Sequence, residues 1–238
     1  MFTIEDLKRD GWESGINKVV MADCLEAMKL IPDKSIDLVL TDPPYGMGKD
    51  FGNASDTENE ILFNLLLDSA IESNRCLKDG GVYVGFFSTR LVHKFYEILK
   101  SAKFEILRGM TLYKPNDCTF PWRGWLLTSE AIVIAKKIGE TSWPEVLTGE
   151  YSHDTYIFNH AGGELWKSAK APCVKPKEVI IDLIRKCCQE NALILDPFMG
   201  SWTTARAAAD LGRDFIGFEL DEGYCKIGEK RLQQQNLF

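Results

Sequence analysis

The sequence predicts a doubly wound α/β fold, in which helices cover both faces of a mostly parallel β-sheet. Short apolar runs of strand length alternate with longer amphipathic segments over most of the 238 residues, and this alternation is typical of the fold class. The length suits one domain with a sizeable core. We therefore interpret residues 1–238 as a single domain.

The first half of the chain contains three predicted strands and three predicted helices. Apolar residues recur every three or four positions in the helices, whereas the strands are short continuous apolar runs. The DGG stretch at residues 79–81 is interpreted as a helix stop. In chain order, the predictions are a strand at 17–21, a helix holding Leu25, Met28 and Ile31, a strand at 36–40, a helix at 61–77, a strand at 82–87 and a helix at 91–102.

Two strands predicted in the second half, residues 104–113 and 131–135, have no helix between them. They should form an antiparallel hairpin at the sheet edge. Residues 139–170 show no clear period and are interpreted as an insertion. The alternation then resumes with a helix at 177–188, a strand at 193–195, a helix from Thr203, a strand at 215–218 and a helix at 222–235.

Composition excludes several classes of protein. A net charge of −7 argues against a dedicated nucleic-acid binder, although residues 167–186 are locally basic and one basic face can suffice. The seven cysteines and three histidines follow no ligand spacing, so we expect no metal site and no disulfide framework. Without a targeting signal or an apolar run of about 20 residues, we expect a cytoplasmic protein that binds no membrane.

The motif TDPPYG, residues 41–46, directly follows the apolar run IDLVL. Two consecutive prolines fix φ twice and remove two backbone donors, so the chain leaves the strand in a stiff turn. The groups left exposed are backbone carbonyls, the carboxylate of Asp42 and the ring of Tyr45. This set suits a planar ligand that carries an amino group.

A second motif, DPFMGSWTT, begins at Asp196 and turns through Gly200 from a predicted strand into a predicted helix. Free N–H groups at a helix start attract a carboxylate or phosphate. Glu219 ends the next strand about 20 residues later, where an acidic side chain typically binds ribose hydroxyls. With Asp23 and Asp42, four acidic residues follow predicted strands and indicate a cleft for a nucleoside ligand.

These motifs resemble the S-adenosylmethionine-dependent DNA amino-methyltransferases of the permuted class usually called beta. In that family the catalytic DPPY motif lies upstream of the cofactor motif, as DPPY at 42–45 lies upstream of DPFMGS at 196–201 here. The segments ADCLEAM at 22–28, APCVKP at 171–176 and GFELDEGYCKIGEKRL at 217–232 are also similar to family motifs. The resemblance covers nearly the whole chain except residues 139–170, and it implies a class I methyltransferase-like (Rossmann-like) fold.

The resemblance implies methyl transfer from S-adenosylmethionine to the exocyclic N6 amine of adenine in DNA, after the base is flipped out of the duplex. Asp42 and the carbonyl of Pro43 would accept the amine hydrogens, and Tyr45 would stack on the base. The implied catalytic residues are Asp42, Pro43, Pro44 and Tyr45.

The resemblance also assigns the cofactor pocket. Asp196 and the glycine turn would hold the amino-acid end of the cofactor, Glu219 the ribose and Asp23 the adenine amine. Lys175 would pair with the cofactor carboxylate, although a solvated lysine at a helix start fits its position equally well. The implied cofactor-binding residues are Asp23, Cys24, Asp42, Lys175, Asp196, Phe198, Gly200, Ser201, Thr203 and Glu219.

Three positions depart from the family pattern. Trp202 stands where many members have a second glycine, Val174 replaces a common glutamine, and Ala171 replaces a frequent histidine. We expect that the backbone at Trp202 does not need a left-handed conformation, and that the indole leaves the pocket open.

Two alternatives to adenine methylation stay open. Asp at the first motif position leans to adenine within the family, but the same two acceptors fit the N4 amine of cytosine. The alternative from a different functional class is a non-catalytic cofactor-binding or DNA-binding module, in which Trp202 disrupts the cofactor pocket.

DNA is the expected partner of a cytoplasmic enzyme encoded by a bacterium or a phage. Residues 139–170 are interpreted as an inserted target-recognition segment, and so short an insertion leaves room for DNA contacts from a second subunit of a homodimer. Trp122, Arg123 and Trp125, in the connection between the hairpin strands, either contact DNA or pack the edge loop.

Overall fold

The computed structural model describes residues 1–50, 55–57, 60–115, 119–123, 125–141, 143–144, 153–158 and 174–233. The strands are β1 (Phe2–Thr3), β2 (Lys18–Met21), β3 (Ile36–Thr41), β4 (Met47–Asp50), β5 (Ser55–Thr57), β6 (Leu77–Ser88), β7 (Phe104–Tyr113), β8 (Thr119–Trp122), β9 (Trp125–Leu127), β10 (Ser129–Lys137), β11 (Thr155–Ile157), β12 (Leu193–Asp196) and β13 (Asp214–Glu219). The helices are α1 (Ile4–Asp10), α2 (Cys24–Met28), α3 (Glu60–Cys76), α4 (Val92–Ser101), α5 (Lys177–Cys187), α6 (Thr203–Asp210) and α7 (Glu222–Gln233).

Nine of the described strands form one sheet in the order β1-β2-β13-β12-β3-β6-β10-β7-β11. Neighbouring strands are parallel throughout, except that β10 runs antiparallel to both β6 and β7. The chain continues from β3 toward β6 on one side and from β12 toward β13 on the other. The sheet therefore has a topological switch point between β3 and β12, where ligands bind in folds of this kind.

The predicted antiparallel hairpin is confirmed as the pair β7 and β10. One further strand lies outside it: β11, from residues 139–170, pairs in parallel with β7 through Thr155 and Thr111 and through Ile157 and Tyr113. The sequence pattern gave no sign of β11, because three residues are too few to show a period. Most of residues 139–170 lie outside the described residues.

Helices cover both faces of the sheet, as a doubly wound fold requires. Helices α1 to α4 bury residues such as Leu66 and Phe95 against one face, together with Val39 of β3. Helices α5 to α7 cover the other face, where Leu38 and Leu40 of the same strand are buried. Because consecutive residues of β3 point to opposite cores, the strand reads as a continuous apolar run. The predicted fold class is confirmed.

The DGG stretch does not stop a helix, so that prediction is wrong. Helix α3 ends at Cys76 and the chain enters β6 at Leu77 directly. The register of β6 against β3 shifts across residues 78–81, which form a bulge. Gly80 has φ +74°, and a Cβ there would lie 1.9 Å from the carbonyl oxygen of Glu140. The glycine is required by this close backbone approach.

Trp202 adopts the left-handed conformation, with φ 63° and ψ 28°, at the N-cap of α6. The expectation that the backbone does not need this conformation is wrong. The indole is only 3% exposed and packs over Gly228 of α7, where a Cβ would lie 1.9 Å from the indole ring. The side chain thus fills the space between α6 and α7, and it does not line the pocket described below.

Replacing Trp202 by glycine should destabilise the protein. Glycine relieves a left-handed strain of roughly 1 kcal/mol, but loss of a buried Trp side chain costs about 3–5 kcal/mol. We expect a net loss of about 2–4 kcal/mol in the free energy of unfolding, measured by urea denaturation. A variant as stable as wild type would show that the indole contributes no packing energy.

Gly228→Ala tests the same contact from the other helix. The new Cβ would overlap the indole, so we expect a loss of about 1–3 kcal/mol. The matched control is Gly223→Ala on the same helix, where a Cβ meets only the end of the Asp221 side chain, at 2.9 Å. Equal stability of the two variants would contradict the packing described for Trp202.

Candidate active site

One pocket opens at the carboxyl ends of β3 and β12, at the switch point of the sheet. It is lined by all the residues that the resemblance assigns to catalysis and cofactor binding: Asp23, Cys24, Asp42, Pro43, Pro44, Tyr45, Lys175, Asp196, Phe198, Gly200, Ser201, Thr203 and Glu219. Sequence reasoning missed other lining residues, above all Glu130 of β10 and Phe86 of β6. The structure therefore brings the predicted residues together in one place, while their individual roles stay predictions.

Asp42 lines this pocket and immediately follows β3. Its Oδ1 accepts a hydrogen bond from the hydroxyl of Tyr45, and its Oδ2 accepts one from the ammonium of Lys175. The Tyr45 ring packs against Phe87 of β6, with ring centroids 5.3 Å apart and an interplanar angle of 58°. Both oxygens of the carboxylate are thus oriented by neighbouring side chains.

Lys175 connects Asp42 to a second carboxylate. Its Nζ lies 3.3 Å from Oε2 of Glu130, and Nζ of Lys114 lies 2.7 Å from Oε1 of the same residue. Lys175 is 7% exposed and Glu130 is 9% exposed. Two ammonium groups and two carboxylates therefore alternate in a mostly buried chain, Lys114–Glu130–Lys175–Asp42.

The two carboxyls of this chain have different proton affinities. Burial raises the pKa of Asp42, and the nearby charge of Glu130 raises it further, while Lys175 offsets only part of the effect. Burial also acts to raise the pKa of Glu130, but the ammonium groups of Lys175 and Lys114 outweigh it and hold this pKa at about 2. Glu130 is thus ionised near neutral pH, whereas Asp42 has the higher proton affinity of the two.

Asp196 is a second acidic residue of the same pocket. It is 2% exposed, and its Oδ1 accepts a hydrogen bond from the backbone N–H of Phe198 at 3.1 Å. Burial raises its pKa to about 7, and the charge of Asp42 contributes to the rise, although hydrogen bonds oppose it. A cation that binds beside such a buried carboxyl stabilises its ionised form.

Glu219 stabilises the glycine turn that follows Asp196 by accepting backbone hydrogen bonds. Its Oε2 accepts a hydrogen bond from the backbone N–H of Gly200 at 2.7 Å, and its Oε1 accepts one from that of Asp221 at 2.8 Å. The expectation of free N–H groups at this turn is therefore wrong for Gly200. Gly200 has φ +50°, a backbone conformation that favours glycine.

The remaining predicted cofactor residues lie around the same turn and on α2. Asp23 is the N-cap of α2 and accepts hydrogen bonds from the N–H groups of Leu25 and Glu26 through Oδ1, at 2.8 and 3.3 Å. Burial raises the pKa of the Cys24 thiol to about 12, so it stays protonated. The hydroxyls of Ser201 and Thr203 lie 3.1 Å apart.

Two of the three residues predicted either to contact DNA or to pack the edge loop have described side chains. Trp125 of β9 is 70% exposed, and Arg123, in the turn between β8 and β9, is also exposed. The side chain of Trp122 lies outside the described residues. Exposed aromatic and cationic side chains such as those of Trp125 and Arg123 suit the edge of a nucleic-acid surface.

Two features are absent from the residues that the structure describes. In those residues, no group of three or more His, Cys, Asp or Glu side chains is placed to hold a metal ion. No helix among them is both long and apolar enough to cross a membrane.

Known proteins resemble this chain in sequence and in fold. The family model for N6/N4 methyltransferases, described as DNA methylase, matches residues 36–230. The DNA adenine methyltransferase YhdJ of Escherichia coli (strain K12) is 26% identical over 248 residues, which cover 90% of this chain and 82% of that protein.

Two solved structures share the fold. M1.HpyAVI, solved in complex with S-adenosylmethionine, is 24% identical with a TM-score of 0.69, covering 91% of this chain and 98% of that one. The cytosine-N4-specific PvuII DNA methyltransferase is 20% identical with a TM-score of 0.77, covering 93% and 88%. Since the family match spans well over half of the sequence, this chain belongs to the N6/N4 DNA methylase family.

Proposed function

We propose that this chain transfers a methyl group from S-adenosylmethionine to the N6 amine of adenine in DNA. The observation that carries the proposal is the position of Asp42, an oriented carboxylate in the same pocket as Asp196 and Glu219. An acceptor suited to an amine and acidic groups suited to a cationic, ribose-containing cofactor therefore line one pocket.

The pocket residues fit S-adenosylmethionine by their chemistry. Asp196, whose buried carboxyl favours a neighbouring cation, suits the α-ammonium group. Glu219 uses one lone pair of each oxygen on backbone N–H groups and keeps others for ribose hydroxyls, while Asp23 keeps Oδ2 for the adenine amine. When bound, the cofactor supplies a methyl group on a sulfonium, which is an electrophile that needs no metal.

Asp42 prepares the amine for attack. An exocyclic amine is a poor nucleophile because its lone pair is delocalised into the ring. Hydrogen bonds from the amine to Asp42 and to the carbonyl of Pro43 fix both hydrogens, so the lone pair can point at the methyl group. The two prolines keep these acceptors in place before the base arrives, which lowers the cost of orientation.

Asp42 is also suited to accept the proton that the amine must lose. The amine becomes positively charged when it gains a methyl group, and it then loses one hydrogen as a proton. Burial and Glu130 raise the pKa of Asp42, so its carboxylate is a suitable acceptor. Solvent at the pocket mouth would take the proton afterwards.

Adenine is favoured over cytosine by two observations. Within the family, Asp at the first motif position leans to adenine, and the relative YhdJ is named as an adenine methyltransferase. Cytosine N4 methylation is the second candidate, because its amine fits the same acceptors and PvuII methyltransferase, which is named cytosine-N4-specific, shares the fold.

Recognition of DNA would use surfaces that reach the pocket edge of the sheet, as β11 does where Ile157 pairs with Tyr113. Residues 139–170 are proposed as the target-recognition segment, with Arg123 and Trp125 of the β8–β9 hairpin as further contacts. So short a segment suits a short target, and a second subunit of a homodimer would supply contacts beyond it. The proposed location is the cytoplasm of a bacterium or of a phage-infected cell.

The decisive experiment incubates the protein with DNA and labelled S-adenosylmethionine and identifies the modified nucleoside by mass spectrometry. N6-methyladenine is the expected product. N4-methylcytosine would replace the adenine assignment by the second candidate. Cofactor binding without any methylated nucleoside would favour a non-catalytic module.

Asp42→Ala should abolish methyl transfer and leave cofactor binding nearly unchanged. Loss of the acceptor removes both the orientation of the amine and the route for its proton, so we expect the turnover rate to fall by at least about 100-fold. The dissociation constant of the cofactor, measured by calorimetry, should stay within several-fold. The control is Asp10→Ala, which removes an exposed carboxylate on α1; a loss of activity in both variants would point to a general defect.

Cofactor affinity should depend on pH through Asp196. With a pKa of about 7, only about one tenth of this carboxyl is ionised at pH 6, so the wild-type dissociation constant should be about tenfold higher than at pH 8. Asp196→Asn should bind weakly at both values and show no such dependence. Calorimetry at the two pH values decides, and an identical pH dependence in the variant would exclude Asp196 as the titrating group.

The same substitution should stabilise the ligand-free protein. The folded-state pKa of Asp196 lies above the ordinary value of 3.8, so ionisation favours the unfolded chain. The resulting loss of stability begins near pH 4 and is complete above about pH 7. Asp196→Asn should therefore unfold at a higher temperature than wild type at pH 8, with the difference shrinking toward pH 4; a lower melting temperature at pH 8 would contradict this.

A further inference from the structure

The ammonium of Lys175 lies beside Asp42, and both residues line the pocket. It donates a hydrogen bond to Asp42, lies 3.3 Å from Oε2 of Glu130 and sits 5.3 Å from the centroid of the Tyr45 ring. A second aromatic ring, that of Phe86, is 5.4 Å away. These contacts place a hydrogen-bond donor directly beside the acceptor proposed for the target amine.

Adjacent acceptor and donor groups match only some base edges. In adenine, the N6 amine donates next to the ring acceptor N1, and in cytosine the N4 amine donates next to the ring acceptor N3. In guanine and thymine, a carbonyl oxygen stands where the amine would be, next to a ring N–H. An Asp carboxylate beside a Lys ammonium, with the carboxylate facing the exocyclic group, is therefore complementary to adenine and cytosine and repels the other two bases.

We propose that Lys175 donates a hydrogen bond to the ring nitrogen next to the target amine, and that Glu130 is the positioning residue that holds Lys175 for this contact. The inference rests on the proposed function and adds how the base edge is read. Lys175 then acts on the base, which differs from the cofactor-carboxylate role that the family resemblance assigns to it.

Glu130 is needed because, without it, Asp42 would be the only carboxylate partner of the ammonium, and the ion pair would compete with the target amine for Asp42. A second carboxylate on the other side of Lys175 shares the ammonium and leaves Asp42 available to the amine. Glu130 also offsets the positive charge that builds on the amine during methyl transfer, which would otherwise be repelled by Lys175. Lys114, 2.7 Å from the other oxygen of Glu130, fixes the orientation of that carboxylate.

The test uses a DNA duplex carrying the target sequence, which is first located by sequencing DNA methylated by the enzyme. In a second duplex, 1-deazaadenine replaces the target adenine, so that a C–H stands in place of N1 and the amine is kept. The measured quantity is the ratio of kcat/KM on the two duplexes. If the product is N4-methylcytosine instead, 3-deazacytosine serves in the same way.

The ratio is compared in wild type, Lys175→Met, Glu130→Gln and a control, Lys177→Met. Lys177 is also a lysine of this region, but it pairs with Asp210 at 3.0 Å and lies outside the catalytic set. Since the analogue changes base pairing equally for every protein, differences between the ratios report the contact with N1 alone.

We expect wild type and Lys177→Met to prefer adenine by about 10-fold to 100-fold, the range for a hydrogen bond to a charged donor. Lys175→Met should lose a similar factor on adenine and show a ratio about 10-fold or more below that of wild type. Glu130→Gln should lower the ratio as well. Cofactor affinity, which also reports correct folding, should stay within several-fold in all variants.

Three results would overturn the proposal in whole or in part. Equal ratios in wild type and Lys175→Met would show that Lys175 does not contact the ring nitrogen. A cofactor dissociation constant raised more than tenfold in Lys175→Met, with the ratio intact, would return Lys175 to the cofactor carboxylate. An unchanged ratio in Glu130→Gln would remove the role of Glu130. None of these outcomes affects the proposed function, which fails only if natural DNA is not methylated.

Discussion

The position of Asp42 depends on one buried ammonium, that of Lys175, which lies between two carboxylates. Asp42 lies 133 residues away from it in the chain, and Glu130 belongs to a strand distant from both. A buried charge that loses its partner destabilises a protein strongly, so neither the ammonium nor the carboxylates can be removed without consequence. Electrostatics as well as packing therefore fixes the DPPY loop, β10 and the segment before α5 relative to one another.

Much of the fold could be predicted because strands buried on both faces read as apolar runs, as in Ile36–Thr41. The N-terminal helix α1 was missed although its signal is present: Thr3 and Asp6 form a capping box. The bulge at Gly80 could not be recognised, because the glycine is explained by the backbone of Glu140, 60 residues further along the chain. Local sequence shows that a glycine permits a turn, but not which segment approaches it.

In the candidate site, too, some residues could be predicted from the sequence and others could not. Asp42, Asp196 and Glu219 could be placed in one cleft because each follows a parallel strand, and such strand ends meet at one edge of the sheet. Glu130 could not be placed in the cleft, since in the sequence it is only a charged residue before an apolar run. Its burial depends on lysines from two other segments. Trp202 likewise required the packing partner Gly228, which offsets the strain of its left-handed backbone.

The reversed direction of β10 determines where the chain can change in length. Because β10 runs antiparallel to β6, it begins at the pocket edge, with Glu130 opposite Ser88, and ends at the far edge, with Lys137 opposite Phe104 of β7. The chain is back at the pocket edge by Ile157, which pairs with Tyr113. Residues added just after Lys137 would enter away from the substrate, whereas those added after Phe158 would enter beside it. A change in chain length at the first position therefore leaves the surroundings of the pocket as they are, whereas one at the second position alters them.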